Sequence, residues 1–222
     1  MSPGQFARRI LGERFEVVGK FYRGLFVDMN KVVEVFCHEL PSGAHCLDVG
    51  GGDGLVAALI LRRRPDVRIT LIDIAPAVGG FIEQEFAHRV HLRPRTAVAD
   101  LIDTGELFDA VIMADVIHHV PPAARAGFFA DLAKLCRSAK CRFLLIKDVQ
   151  PGSVRARLAV LSDHYVTGDK GVELATRSDL EKALSEAFGR ERIEAFDFSL
   201  PDPPNFCLIT RLRAADGTPP SA

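Results

Sequence analysis

From residue 45 onward, short apolar runs alternate with longer stretches of helical periodicity. HCLDV (45–49), RITLIDI (68–74), RTAVAD (95–100), FDAVIMAD (108–115) and CRFLLIKDV (141–149) read as five β-strands. Between them, GLVAALILRRR (54–64) and AARAGFFADLAKLCRSA (123–139) read as helices, and VGGFIEQEFAHRV (78–90) is expected to be helical despite its two glycines. Strands that are nearly continuous in apolar residues and alternate with helices indicate a parallel sheet buried on both faces. The rhythm breaks after Pro151. SVRARLAVLSDHY (153–165) looks helical, VTGDKGVEL (166–174) is irregular, and RSDLEKALSEAF (177–188) is a helix for which Ser178 is the expected N-cap. Two β runs, 191–200 and 205–213, follow across the turn-forming PDPPN.

Upstream, FARRILGERF and LFVDMNKVVEVFCHEL carry apolar residues at helical spacing, among them Leu25, Phe26, Met29, Val32, Val33 and Phe36. With Phe15, Phe21 and Tyr22 they suggest an N-terminal helical cap over residues 1–40. Residues 41–214 are expected to form one α/β domain, and 215–222 a disordered tail with nothing to bury.

Composition narrows the class. A chain of 222 residues, 48% hydrophobic and 26% charged with a net charge of −1, has no global field for nucleic acid or anionic lipid. It has no tryptophan and no basic groove with interleaved aromatics, which argues against a nucleic-acid substrate. The five cysteines are scattered without a CxxC pair, which speaks against a zinc ribbon or disulfide framework and for a reducing compartment. No stretch has the form of a signal peptide or reaches transmembrane length, so the expected location is cytoplasmic. Oligomeric state is left open.

The informative stretch is HCLDVGGGDGLVA, residues 45–57, where a strand runs into four glycines and two aspartates before a helix. Glycines there let the backbone approach a ligand closely, and parallel sheets bind ligands at the carboxyl ends of their strands. Two patterns overlap in it. Gly52-Asp53-Gly54-Leu55-Val56-Ala57 satisfies G-x-G-x-x-G/A, the dinucleotide pattern, which suits a nicotinamide-dependent oxidoreductase. Its glycines begin only after the strand ends near Val49, and Asp53 would crowd an anionic pyrophosphate. Asp48, Gly50, Gly52 and Gly54 instead satisfy D-x-G-x-G-x-G.

On that second pattern the sequence resembles the class I S-adenosylmethionine-dependent methyltransferases of small-molecule type. The resemblance implies a Rossmann-like seven-stranded α/β sheet, mostly parallel with an antiparallel C-terminal strand and helices on both faces. It also implies S-adenosyl-L-methionine as cofactor, with S-adenosyl-L-homocysteine as product. The cationic sulfonium and ammonium of that cofactor would be helped by Asp48 and Asp53. By the same resemblance Asp48, Gly50, Gly51 and Gly52 wrap the ligand, and Asp73 holds the ribose hydroxyls with Ile74 against the adenine. Asp100, read as the end of the third strand, accepts from the adenine amino group beside Leu101, and Ala114 closes the site from the fourth strand. These motifs recur in order over residues 41–213.

The methyl acceptor is expected to be a small molecule, most simply one methylated on oxygen. Asp115, His118, His119 and Asp148, with His164 and Tyr165, fall within reach of the ends of strands four and five. Neutral imidazole can take a proton from a hydroxyl. The Asp115-x-x-His118-His119 cluster resembles the E-x-x-E-H segment of ubiquinone-pathway O-methyltransferases, in which two acids and a histidine hold a divalent cation. One carboxylate and two imidazoles suit a transition metal better than magnesium, and no metal is assigned here. His119 matches the histidine of that pattern and is the expected base, with Asp115 and His118 orienting it or the acceptor. DVGGGDG and RRRPDVRITLIDI also look like the plant-type and hydroxyindole O-methyltransferases, but that alignment sets their catalytic histidine near Ala124. A fold that binds cofactor without turnover is the third reading.

Overall fold

The computed structural model describes residues 28–137, 140–153 and 172–213. Seven strands form one sheet in the order β3-β2-β1-β4-β5-β7-β6. They are β1 His45–Val49, β2 Arg68–Asp73, β3 Val90–Pro94, β4 Ala110–Ala114, β5 Phe143–Val149, β6 Ile193–Asp202 and β7 Asn205–Leu212. The first five run parallel, and β7 pairs antiparallel with both β5 and β6. Strand order reverses between β1 and β4, so a crevice opens at their carboxyl ends, where open α/β sheets bind ligands.

Alternation along the strands divides the core into two layers. On one face, Cys46, Ile69, Leu71, Ile112 and Leu145 pack under α1 (Met29–Glu39) and α2 (Leu55–Arg63). On the other, Leu47, Ile72, Val111, Met113, Leu144 and Ile146 pack under α3 (Pro122–Leu135) and α4 (Arg177–Phe188). In α1, Val32, Val33 and Phe36 stand one helical face apart and are fully buried. This part of the expected N-terminal cap is therefore a layer of the sheet's own core. Phe15, Phe21, Tyr22, Leu25 and Phe26 lie outside the described residues, as do His164, Tyr165, most of the helix expected at 153–165 and the tail.

Three expectations need correction. The third strand is 90–94, in register from Ile69↔Val90 to Asp73↔Pro94, and not RTAVAD. Arg95 turns into the left-handed region (φ 55°), and Val98–Leu101 closes into a 3-10 turn. VHLRP is a short edge strand in which Val90 and Leu92 alternate with His91 and Arg93 but no residue is fully buried, so its apolar signal is only two residues long. The helix expected at 78–90 shrinks to a 3-10 turn at Gln84–Phe86. Its preceding backbone is spent elsewhere: Gly79 N donates to Gly52 O (2.9 Å) and Phe81 N to Asp53 O (2.8 Å), bracing the glycine loop. Finally, α4 is capped by Thr176 and not Ser178. Thr176 Oγ1 accepts from Asp179 N, and Asp179 Oδ2 accepts from Thr176 N, a reciprocal capping box. Among the described residues no helix is long and apolar enough to cross a membrane.

Candidate cofactor and acceptor site

Residues 50–54 leave β1 in a conformation that only glycine adopts easily. Gly50, Gly52 and Gly54 have φ of 64°, 50° and 81°, and Gly54 is the N-cap of α2. Gly51 is required for space, because a Cβ there would fall 2.5 Å from Leu71 Cγ and 2.7 Å from Asp48 Oδ2. Gly50 N and Gly51 N both donate to Ile72 O (2.8 and 3.2 Å), which ties the loop to the end of β2.

That tie brings three acids together. Asp73 Oδ2 accepts from Gly52 N (2.9 Å) and Oδ1 from Ala75 N (2.8 Å), so two backbone donors hold its carboxylate at the crevice with lone pairs to spare. Asp48 is 1% exposed, and its Oδ2 has no hydrogen-bond partner among the described residues. Burial, then the charges of Asp73 and Asp53, push its carboxyl up to about 7. No lysine or arginine occurs in residues 45–61 or 69–86. This half of the crevice is thus acidic without a cation from its own segments.

The remaining expected cofactor contacts surround it. Ile74 stands 81% exposed at the lip, a large apolar side chain that no described residue covers. Asp100 is exposed in its 3-10 turn, where Oδ2 accepts from Ala97 N (2.8 Å); it does not end a strand. Leu101 is buried to 1% in the core with Ile72 and Val98, so its side chain supports this turn from beneath and offers a ligand only backbone. Ala114 ends β4 half-buried, and two residues on Val116 presses against the glycine loop, with Cγ2 2.8 Å from where a Cβ on Gly50 would be.

The other half of the crevice, at the ends of β4 and β5, carries paired charges. Asp115 sits at φ 59°, an unusual conformation for a non-glycine residue and a recurrent one at functional sites. Lys147 Nζ donates to both its oxygens (2.5 and 2.6 Å). The lysine side chain is 2% exposed, whereas that of Asp115 is 36% exposed, so the pair shows its carboxylate to the crevice and hides its ammonium. Burial opposes ionisation of Asp115, but Lys147, His118 and His119 outweigh it and hold the carboxyl below its ordinary range.

On the sheet's opposite face His118 Nδ1 lies 2.5 Å from Asp148 Oδ1, both side chains almost fully buried. Asp148 Oδ1 also accepts from Val149 N (2.7 Å). The half-buried ring of His119 lies 4.3 Å from that of His118, and the carbonyl of His118 accepts from Glu173 N (3.0 Å). The structure therefore brings Asp115, His118, His119 and Asp148 into one neighbourhood and separates their roles: His118 is internal, while His119 and Asp115 face outward. Lys147 was not singled out in the sequence, where it reads as one charge in an apolar strand. Ligand atoms of Asp115, His118 and Asp148 lie within 4.8 Å of one another, but Asp115 is already bound by Lys147 Nζ and Asp148 Oδ1 already faces His118 Nδ1.

Residues 47–139 match a protein family described as a methyltransferase domain. An uncharacterized methyltransferase of Mycobacterium tuberculosis (strain ATCC 25618 / H37Rv) is 39% identical over 84 residues, 36% of this chain and 41% of the relative. A tRNA1(Val) (adenine(37)-N6)-methyltransferase of Vibrio parahaemolyticus is 42% identical over 50 residues, 22% of this chain and 21% of that protein. The matched segment thus spans less than half the length of these curated relatives. Among solved structures, human N-acetylserotonin methyltransferase in complex with SAM superposes with a TM-score of 0.64 at 20% identity, covering 85% of this chain and 52% of that one. The 1,6-didemethyltoxoflavin-N1-methyltransferase of Burkholderia thailandensis, with its substrate and S-adenosylhomocysteine bound, gives 0.61 at 16% identity, covering 96% and 91%. These likenesses establish the fold.

Proposed function

We propose that this chain, whose residues 47–139 match a methyltransferase domain, is a class I S-adenosylmethionine-dependent enzyme that binds its cofactor between β1, β2 and β4 and methylates a small-molecule acceptor, most simply on oxygen. The observation that carries the reading is Asp48: a buried carboxylate oxygen without a partner, beside two further acids, in a loop whose Gly51 admits no side chain. Such a cradle fits a ligand that brings its own positive charge. It opposes a dinucleotide, whose pyrophosphate would dock against three carboxylates.

The protein's residues divide the work. Asp73, already fixed by two backbone donors, offers its remaining lone pairs to vicinal hydroxyls of a ribose. Ile74 gives an apolar surface for an adenine, and Asp100, exposed on the turn after β3, is the acceptor assigned to its amino group. Bound S-adenosylmethionine supplies an electrophilic methyl group on a cationic sulfur. In-line transfer then needs alignment of the acceptor and an outlet for its proton. His119 takes that proton, since it is the more open of the two imidazoles. The buried His118, anchored on Asp148, fixes the backbone and ring against which His119 stands. Asp115 accepts a hydrogen bond from the acceptor and is kept ionised by Lys147.

The test is transfer of label from methyl-labelled S-adenosylmethionine to a panel of phenols, hydroxylated heterocycles and amines. Labelled hydroxyl products from the parent protein, lost in His119→Ala, support the reading. Tight cofactor binding with no labelled product from any class would point to a cofactor-binding protein without turnover.

A further inference from the structure

We infer that Asp48 gives up a proton to solvent when the cationic end of the cofactor binds, so that the affinity of this site is gated by pH. The inference rests on the cofactor reading above and adds to it a regulation that the cradle's geometry imposes.

A carboxylate that is 1% exposed, with one oxygen unpartnered, is poorly stabilised when ionised. Its surroundings offer no relief. On its face of the sheet the neighbouring strands present Leu71 and Ile112 in register with it. Helix α2 covers that face with Val56, Ala57, Ile60 and Leu61, and α1 adds Val32, Val33 and Phe36. Among the described residues the titratable groups that face it are Asp73 from the end of β2, Asp53 from the glycine loop and the thiol of Cys46 lower on β1. All of them are neutral or negative. The buried cation on the same face among the described residues, Lys147 on β5, lies beyond β4 and is bound to both oxygens of Asp115. The free protein therefore holds Asp48 largely neutral below pH 7, consistent with a carboxyl raised to about 7.

A ligand ammonium or sulfonium in the cradle reverses that balance, because it supplies the missing opposite charge. Binding then selects the ionised form, and the proton leaves to buffer. The sign follows. Below the free-state value the competent, ionised fraction shrinks, and the apparent Kd weakens in proportion. With a midpoint of about 7 the ionised fraction rises about tenfold between pH 6 and pH 8, and so should the affinity. Above pH 8 it should level off.

S-adenosylhomocysteine is the probe, since it carries the ammonium and does not react. Titration calorimetry of the full chain at pH 7, in phosphate and in Tris, reads the protons released from the difference in heat. The expected result is release of a substantial fraction of one proton at pH 7, close to none at pH 8, where the probe is still an ammonium, and a Kd about tenfold weaker at pH 6 than at pH 8. Asp48→Asn should bind more weakly, release no proton and lose the pH dependence. If that variant does not fold, the pH series on the parent protein stands as the test. Binding with equal heats in both buffers and a flat Kd from pH 6 to 8 would overturn the inference and leave the cofactor reading intact. Release that persists in Asp48→Asn would overturn the assignment to Asp48. Failure of the parent protein to bind S-adenosylhomocysteine at any pH would overturn both readings together.

Discussion

The two halves of the crevice treat charge in opposite ways. Around the glycine loop Asp48, Asp53 and Asp73 gather with no lysine or arginine from their own segments, and one buried oxygen is unpartnered. At the ends of β4 and β5 each acid has a side-chain donor, Lys147 for Asp115 and His118 for Asp148, although Oδ2 of Asp148 is, like that of Asp48, unpartnered among the described residues. An acidic site without a cation asks the ligand to provide one. A site whose acids are held by their own donors is pre-organised, suited to keeping side chains still while an uncharged acceptor binds. The difference separates cofactor binding from acceptor chemistry within one crevice.

The comparison can be broken at each half. The largest expected effect is on turnover. His119→Ala should slow methyl transfer by about 10²–10⁴-fold, the range for loss of a general base, with cofactor affinity little changed. Steady-state kinetics beside a cofactor titration checks this; unchanged turnover would make His119 structural. Next comes an asymmetry in the Asp115–Lys147 pair. Asp115→Ala strands an ammonium that is 2% exposed and should cost about 3–5 kcal/mol of stability. Lys147→Met leaves only the partly exposed carboxylate unpaired and should cost distinctly less by chemical denaturation. Equal costs would mean that Asp115 is as enclosed as its partner. Smaller again is Asp73→Ala, expected to weaken S-adenosylhomocysteine binding by about 1.5–3 kcal/mol, the worth of hydrogen bonds to a charged group. Normal binding by the folded variant would remove Asp73 from the cradle.

The two halves also differ in how far the sequence discloses them. Asp48, the glycines and Asp73 fall at the ends of two strongly apolar strands, so local pattern places them where the structure has them. The pairs of the second half join residues 32 and 30 apart, and only the adjacency of β4 and β5 brings them together. Lys147 was invisible for that reason, and so was the choice of Asp148 for His118. The region between the halves was misread because tertiary bonds override local propensity there. Gly79 and Phe81 give their N–H groups to the glycine loop where a helix was expected, and β3 is an edge strand with no fully buried residue.

The central claim, that the acidic half is built for a cationic adenosyl ligand, is tested most directly by thermal denaturation of the full chain with S-adenosylhomocysteine or NAD. At about one hundred times its Kd, S-adenosylhomocysteine should add about 2.7 kcal/mol of stability and raise the Tm by several degrees, while NAD leaves it unchanged. Equal stabilisation by NAD, or none by S-adenosylhomocysteine, would contradict the account.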